Sequence, residues 1–266
     1  MRLGCCGSMI SPATDPIGIG IVEALAGMGF DYVELSLAGL MALPQRAFDD
    51  VARRIERSGI RCEACNNFFP ARVRLTGAEA RLPAAVAYAT AALERAARLG
   101  VGVIVFGSSG AKNVPAGFDP GAAWQQIVEL LGNLGPPAEA RGITIAIEPL
   151  NRRESNLVNL AAEGLRLVRE VNHPNIQLLV DYYHLMVEGE APEIVAGAGA
   201  ALRHLHVARV EERAFPTQPD HGIRRFFQLV RQAGYGGRCS IEAYSRDFAA
   251  EAPQALRLLR EVTQNP

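Results

Sequence analysis

Short apolar runs without alternation recur along this chain, each followed by a longer amphipathic stretch. ITIAI (143–147) and IQLLV (176–180) are the clearest. A half-exposed strand alternates apolar and polar residues. A run that does not alternate must be covered on both faces, as the strands of a parallel sheet are. Eight candidate strands follow: 3–7, 32–35, 61–66, 101–107, 144–148, 177–181, 203–207 and 239–242. Helical stretches lie between them, most clearly at 80–99, 121–140, 161–171 and 222–233. Glycines 29, 59, 100, 142 and 234 each stand just before a strand, where the left-handed conformation ends a helix.

Eight strands alternating with helical segments point to an α/β fold, a single-domain (β/α)₈ barrel spanning residues 1–266. That length suits a barrel, which typically takes about 250 residues. A doubly wound open sheet is the second choice. It commonly carries GxGxxG after its first strand, and GCCGSM at 4–9 does not match.

Charge is nearly balanced, with 27 basic and 28 acidic residues. This argues against a nucleic-acid partner, which needs a concentrated basic patch. No apolar run reaches the roughly 18 residues of a membrane span. MRLGCCGSMISP does not read as a secretory signal, and the five cysteines form no even disulfide framework. A cytoplasmic protein is expected. Cys62 and Cys65 form a lone CxxC; three residues apart on a strand they would face opposite sides, so packing is the expected role.

The polar residues that interrupt this pattern cluster in the second half. Glu148 ends ITIAIE, Asp181 ends IQLLVD, His206 lies in RHLHV and Glu242 ends CSIE. A single carboxylate at a strand end is commonly solvated, and a single strand histidine commonly packs in the core. Four consecutive strands each delivering one such group to the same barrel mouth favour a shared divalent cation, which offsets the cost of burying charge. Three carboxylates and an imidazole suit Mn²⁺, Mg²⁺, Co²⁺ or Fe²⁺. His204 lies on the same strand face as His206 but one layer deeper, so a supporting or packing role is expected. Asn151, Arg152, Arg153, Glu154, His184 and Arg213 follow the ligand strands in loops. Glu34 on the second strand and Asn66 on the third are candidates to line the pocket, and Phe68 and Phe69 to form an apolar wall.

Together IEPLNRRESN, LLVDYYHL, HLHV and CSIEAY resemble the xylose isomerase-like barrels, and among these the ketose 3-epimerases that act on tagatose, psicose (allulose) and ribulose-type sugars. The resemblance runs over most of the chain and is densest from Ile143 to Tyr244. It implies one divalent ion of the Mn²⁺ type held by Glu148, Asp181, His206 and Glu242. It implies that Glu148 and Glu242 also act as the acid/base pair, inverting C3 of a ketose through a cis-enediolate. It implies that Glu154, His184 and Arg213 contact the O1–O2 end of the sugar, and that the chain forms a dimer or tetramer; with no phosphate nest or P-loop in the sequence, a free sugar is expected. Two positions depart from the pattern. Glu212 stands where the arginine is expected, one residue before Arg213, and Arg209 stands where an acid or amide is usual. Aldose–ketose or hydroxypyruvate-type isomerisation, keto-inositol dehydration and related lyase reactions fit the same metal site. A phosphoesterase like AP endonuclease IV shares the barrel but gathers more histidines than the five present here.

Overall fold

A computed structural model describes residues 1–218 and 220–264; Pro219 and the last two residues of the expected 1–266 domain lie outside the described residues. The strands are β1 (Arg2–Cys6), β2 (Tyr32–Ser36), β3 (Arg61–Asn66), β4 (Val103–Phe106), β5 (Thr144–Ile147), β6 (Ile176–Asp181), β7 (Leu202–Val207) and β8 (Arg238–Ile241). They pair in parallel, in sequence order, and β8 returns to β1, so the barrel closes. This is the (β/α)₈ fold that the unalternating runs imply.

The helices Leu82–Arg98, Pro120–Glu139, Ala161–Val171 and His221–Gln232 fall within two residues of their expected limits. All five helix-ending glycines have positive φ. Shorter helices that the sequence pattern did not expose, such as Ser109–Lys112 and Tyr182–Val187, sit directly after strands at the mouth.

The two faces of each strand have separate fates. Side chains such as Leu35, Ile104, Ile147, Val180, Val207 and Ile241 pack outward against the helices. Tyr32, Ala64, Val103, Val105, Ala146 and Leu179 form a smaller apolar cluster inside the barrel. Burial of both sets is what makes the strands read as continuous apolar runs. Small residues on neighbouring strands make room for Tyr32: a Cβ on Gly4 would stand 2.4 Å from its ring.

The CxxC expectation needs one correction. β2 and β3 shift register between Val33 and Glu34, so that Val33 pairs with Cys62 and Glu34 with Ala64. Glu63 is the extra residue of this bulge. The insertion resets the two-residue period, and Cys62 and Cys65 end up together in the outer core. Both are free and buried, in agreement with a packing role. Among the described residues no helix is long and apolar enough to cross a membrane.

Candidate metal centre

Moving two residues along each strand from the lumen layer below reaches the mouth. Ala146 leads to Glu148, Leu179 to Asp181, His204 to His206, and Ser240 to Glu242. The period of two thus turns four inward positions into four convergent polar groups. Glu148 and Glu242 lie one residue past their strands, yet their backbone N–H groups still donate to Phe106 O and Val207 O, both at 3.1 Å. That ladder fixes where the carboxylates point.

The groups meet. His206 Nδ1 is 3.0 Å from Glu148 Oε1 and 3.4 Å from Glu242 Oε2. Ligand atoms of Glu148, Asp181, His184 and Glu242 all lie within 4.8 Å of one another. Glu148, Asp181, His206 and Glu242 are buried. Three carboxylates this close and this dry cannot all ionise cheaply unless cations join them. Burial and then the charge of Glu242 raise the Glu148 carboxyl, against the pull of His206. Burial pushes Asp181 up to about 7, although Arg213 opposes it. Burial works the same way on Glu242, but His206 and Arg213 overcome it and hold that carboxyl well below its ordinary range.

Two histidines therefore border the cluster, and hydrogen bonds separate their chemistry. His184 Nδ1 accepts from the Asn151 backbone N–H at 3.2 Å. A nitrogen that accepts carries no proton, so the proton of neutral His184 sits on Nε2. Burial above all, then Arg213, lowers this imidazole to about 3, which keeps it neutral. Nε2–H then faces Asp181 Oδ2 at 3.6 Å as a donor and has no lone pair for a metal. His206 Nδ1, in contrast, points into the carboxylates.

Arg213 reaches the same place. Its Nη2 lies 3.4 Å from Asp181 Oδ2 and 3.5 Å from His184 Nε2, and it forms a short ion pair with Glu242. Nη1 is 3.4 Å from Glu154 Oε1, and the guanidinium carbon stands 4.8 Å from the centre of the Tyr183 ring. Glu212 and Arg213 both adopt left-handed backbone, with φ of 59° and 49°. This double turn throws Glu212 outward onto Arg246, at 2.7 Å, and Arg213 inward. The one-residue departure in sequence is thus absorbed by the backbone. Arg209 pairs with Glu211 at 3.4 Å and does not join the cluster.

Other expected residues divide. Asn66 Nδ2 donates to Glu242 Oε1 at 3.3 Å, and its own Oδ1 is buried without a partner. Glu154 accepts from Asn151 Nδ2 at 3.0 Å and is 38% exposed at the rim. Arg152 turns away to Glu188. Phe68 is fully buried rather than a pocket wall; Phe69 borders an open cleft of 420 Å³ with Ser36, Asn67 and Ser108. Glu34 is also corrected: it is fully enclosed behind His206, with both oxygens engaged by histidines.

Lys112 has no counterpart among the sequence candidates. It is 1% exposed, and its Nζ donates to Gly107 O at 2.5 Å. Burial depresses its ammonium to about 8, against the attraction of Glu148 and Glu154. Gly107 occupies the inward position after β4, where a Cβ would stand 2.3 Å from Glu148 Oε2. Neither was legible, because a lysine or glycine in a loop carries no periodic signal.

A family model described as "Xylose isomerase-like TIM barrel" matches residues 22–262. The chain is 28% identical over 241 residues to L-ribulose 3-epimerase of Methylomonas sp. (strain DH-1), covering 86% of this chain and 80% of that one. It is 29% identical over 133 residues to D-psicose 3-epimerase of Ruminiclostridium cellulolyticum, 48% of this chain and 44% of that one. A solved structure of D-psicose 3-epimerase with D-tagatose from Clostridium cellulolyticum H10 superposes with a TM-score of 0.88 at 22% identity, covering 100% of both chains.

Proposed function

Because the chain belongs to the xylose isomerase-like TIM-barrel family, we propose that it is a metal-dependent epimerase that inverts C3 of a free ketose, with Glu148 and Glu242 as its acid/base pair. One observation carries this reading. The Glu148 and Glu242 carboxylates come from β5 and β8, on different sides of the mouth, and converge on one donor set.

The residues fit a divalent cation. Glu148, Asp181, His206 and Glu242 would hold it through three hard oxygens and the Nδ1 lone pair of His206, a set suited to Mn²⁺, Mg²⁺ or Co²⁺. When bound, such an ion polarises a carbonyl and its neighbouring hydroxyl, lowering the cost of the enolate that C–H removal creates.

The rest belongs to the chain. One glutamate takes the C3 proton from one face of the sugar, and a cis-enediolate forms. The other glutamate returns a proton to the opposite face, and C3 is inverted. Lodging the sugar between carboxylates on two strands is what allows opposite faces to be addressed. His184 donates Nε2–H, and Arg213 and Glu154 supply a cation and an acceptor, at one end of the pocket; these bind and orient the O1–O2 end. Asn66 holds Glu242 by one oxygen and keeps an unpartnered carbonyl oxygen for a substrate hydroxyl. The reaction takes place in a cytoplasmic protein that assembles as a dimer or tetramer.

Proton NMR of a ketose panel in deuterated water with Mn²⁺-loaded protein, quenched and demetallated before acquisition, tests the proposal. Deuterium at C3 with formation of the C3 epimer is expected. Exchange at C1 with appearance of an aldose would replace epimerisation by isomerisation. No exchange in any ketose would overturn the reading.

A further inference from the structure

Beneath the metal-facing layer lies a buried polar group that the proposed reaction does not use. Glu34 is fully enclosed in the barrel. Its Oε1 stands 3.0 Å from His206 Nε2, and its Oε2 stands 2.9 Å from His204 Nε2. Ser240 Oγ donates to Oε2 at 2.6 Å, and the Tyr32 hydroxyl lies 2.8 Å from Ser240 Oγ. Cys6, the cross-strand partner of Glu34, places its sulfur 4.0 Å from the same His206 nitrogen.

We propose that Glu34 is the positioning residue of the metal centre: by accepting the proton on Nε2 of His206 it fixes which nitrogen of that ring faces the carboxylate cluster. The inference rests on the reading of His206 as a ligand. It deepens that reading by assigning a role outside the ligand set.

Hydrogen-bond accounting carries it. An ionised carboxylate only accepts, so each group that touches Glu34 must donate. Ser240 spends its hydroxyl proton there. His204 spends Nε2–H, and its Nδ1 is buried with no partner, which suits a bare lone pair better than an N–H. His206 must therefore also present Nε2–H. Its Nδ1, 3.0 Å from Glu148 and 3.4 Å from Glu242, is the nitrogen that a cation held by those carboxylates would meet, and whose lone pair it would take in place of a proton. A carboxylate behind a ligating imidazole fixes its tautomer and orientation and strengthens it as a donor.

Glu34→Gln is the incisive change. The amide keeps the size but offers one acceptor and one donor where two acceptors stood. One of the two histidines must then present a bare nitrogen to the amide NH₂. His204 would have to move its proton onto an Nδ1 that is buried without a partner, whereas His206 Nδ1 has the Glu148 carboxylate at 3.0 Å to donate to; the change therefore falls on His206, whose proton moves to Nδ1, the side of the metal.

Mn²⁺ affinity is measured by calorimetry on wild type, Glu34→Gln and Ser240→Ala, alongside the melting temperature of each without metal. The expected result is a 10- to 100-fold weaker Kd for Glu34→Gln, the range typical of such outer partners. Ser240→Ala, which removes a donor to Glu34 but leaves its contact with His206, should stay within about threefold of wild type. Equal affinities for wild type and Glu34→Gln would overturn the inference, as would Ser240→Ala weakening binding as much as Glu34→Gln. Failure of wild type to bind Mn²⁺ would instead overturn the metal centre itself. Should Glu34→Gln not fold, ¹⁵N-histidine NMR of Mg²⁺-loaded wild type decides the matter. A proton on Nε2 of His206 supports the inference, and a proton on Nδ1 refutes it.

Discussion

The two halves of the barrel end in different chemistry. β5 to β8 each deliver a carboxylate or an imidazole to the mouth: Glu148, Asp181, His206 and Glu242. On their inward side β1 to β4 present Cys6, Glu34, Asn66 and Gly107, with Glu34 beneath the metal-facing layer. Those residues touch the first set. Glu34 bonds His206, Asn66 bonds Glu242, Cys6 lies against His206, and Gly107 leaves space for Glu148. A closed sheet brings every strand end to one rim, so half of it can supply reacting groups while the other half sets their orientation and clearance. The division yields distinct expectations for substitutions in each half.

The largest effect is expected in the second half. Glu148→Gln and Glu242→Gln should each reduce C3 hydrogen exchange by at least the 10²- to 10⁴-fold attributed to a positioned acid or base. Deuterium incorporation followed by NMR measures this. Exchange retained in both variants would remove the distinction between reacting and supporting halves.

Metal removal is next. A hundredfold excess of ion over its Kd stabilises a protein by about 2.7 kcal/mol, which for a chain of this size is on the order of 5–10 °C. The gain should depend on pH. Asp181, raised to about 7 from an ordinary 3.8 in the protein alone, contributes stability that is complete below the lower value and disappears as pH rises through the upper one. The metal-free protein should therefore weaken from about pH 4 to about pH 7, and the melting shift on adding Mn²⁺ should grow over the same interval. A shift that shrinks as pH rises would contradict the repulsive carboxylate cluster.

Gly107→Ala tests the first half through space alone. The new methyl would displace the Glu148 carboxylate, a flexible group, so the fold should persist while Mn²⁺ affinity and kcat/KM fall roughly 10- to 100-fold, the scale of losing an outer partner of a metal site. Unchanged affinity would show that Glu148 has room the structure does not reveal.

How much of this was legible in the sequence follows from the same division. The proposed ligands in β5 to β8 stand out because a carboxylate or imidazole breaks an apolar run, and four breaks in order are a pattern. The fold was legible for the same reason, through runs such as ITIAI that only a doubly covered sheet explains. Of the supports only Asn66, named as a pocket residue, was found where it was expected. Glu34 looked like a pocket residue because sequence gives its face but not its depth, and depth depends on how far β2 is staggered against β7 across the barrel. The β-bulge at Glu63 was invisible, so the faces assigned to Cys62 and Cys65 were wrong. Arg213 was named from the sequence, but the left-handed backbone at Glu212 that carries it inward was announced by no residue type.

The smallest effect is the one that places Lys112 on the supporting side. Its ammonium is held inside the β4 loop, bonded to the Gly107 carbonyl and attracted by Glu148 and Glu154, while burial depresses it from 10.5 to about 8. A depressed folded value means that the unfolded chain binds more protons between those limits. Stability is then gained as pH rises from about 8 towards 10.5 and is lost as pH falls back through 8. Urea unfolding at pH 7.5 and 10 should show wild type becoming more stable at the higher pH by on the order of 1–3 kcal/mol from this group, and Lys112→Met should lack that component. The same variant sharpens the contrast between halves. If Lys112 only supports the loop, Mn²⁺ affinity should stay within about threefold of wild type, well short of the loss expected for a ligand or its direct partner. A tenfold loss would move Lys112, and with it the β4 loop, to the side of the reacting groups.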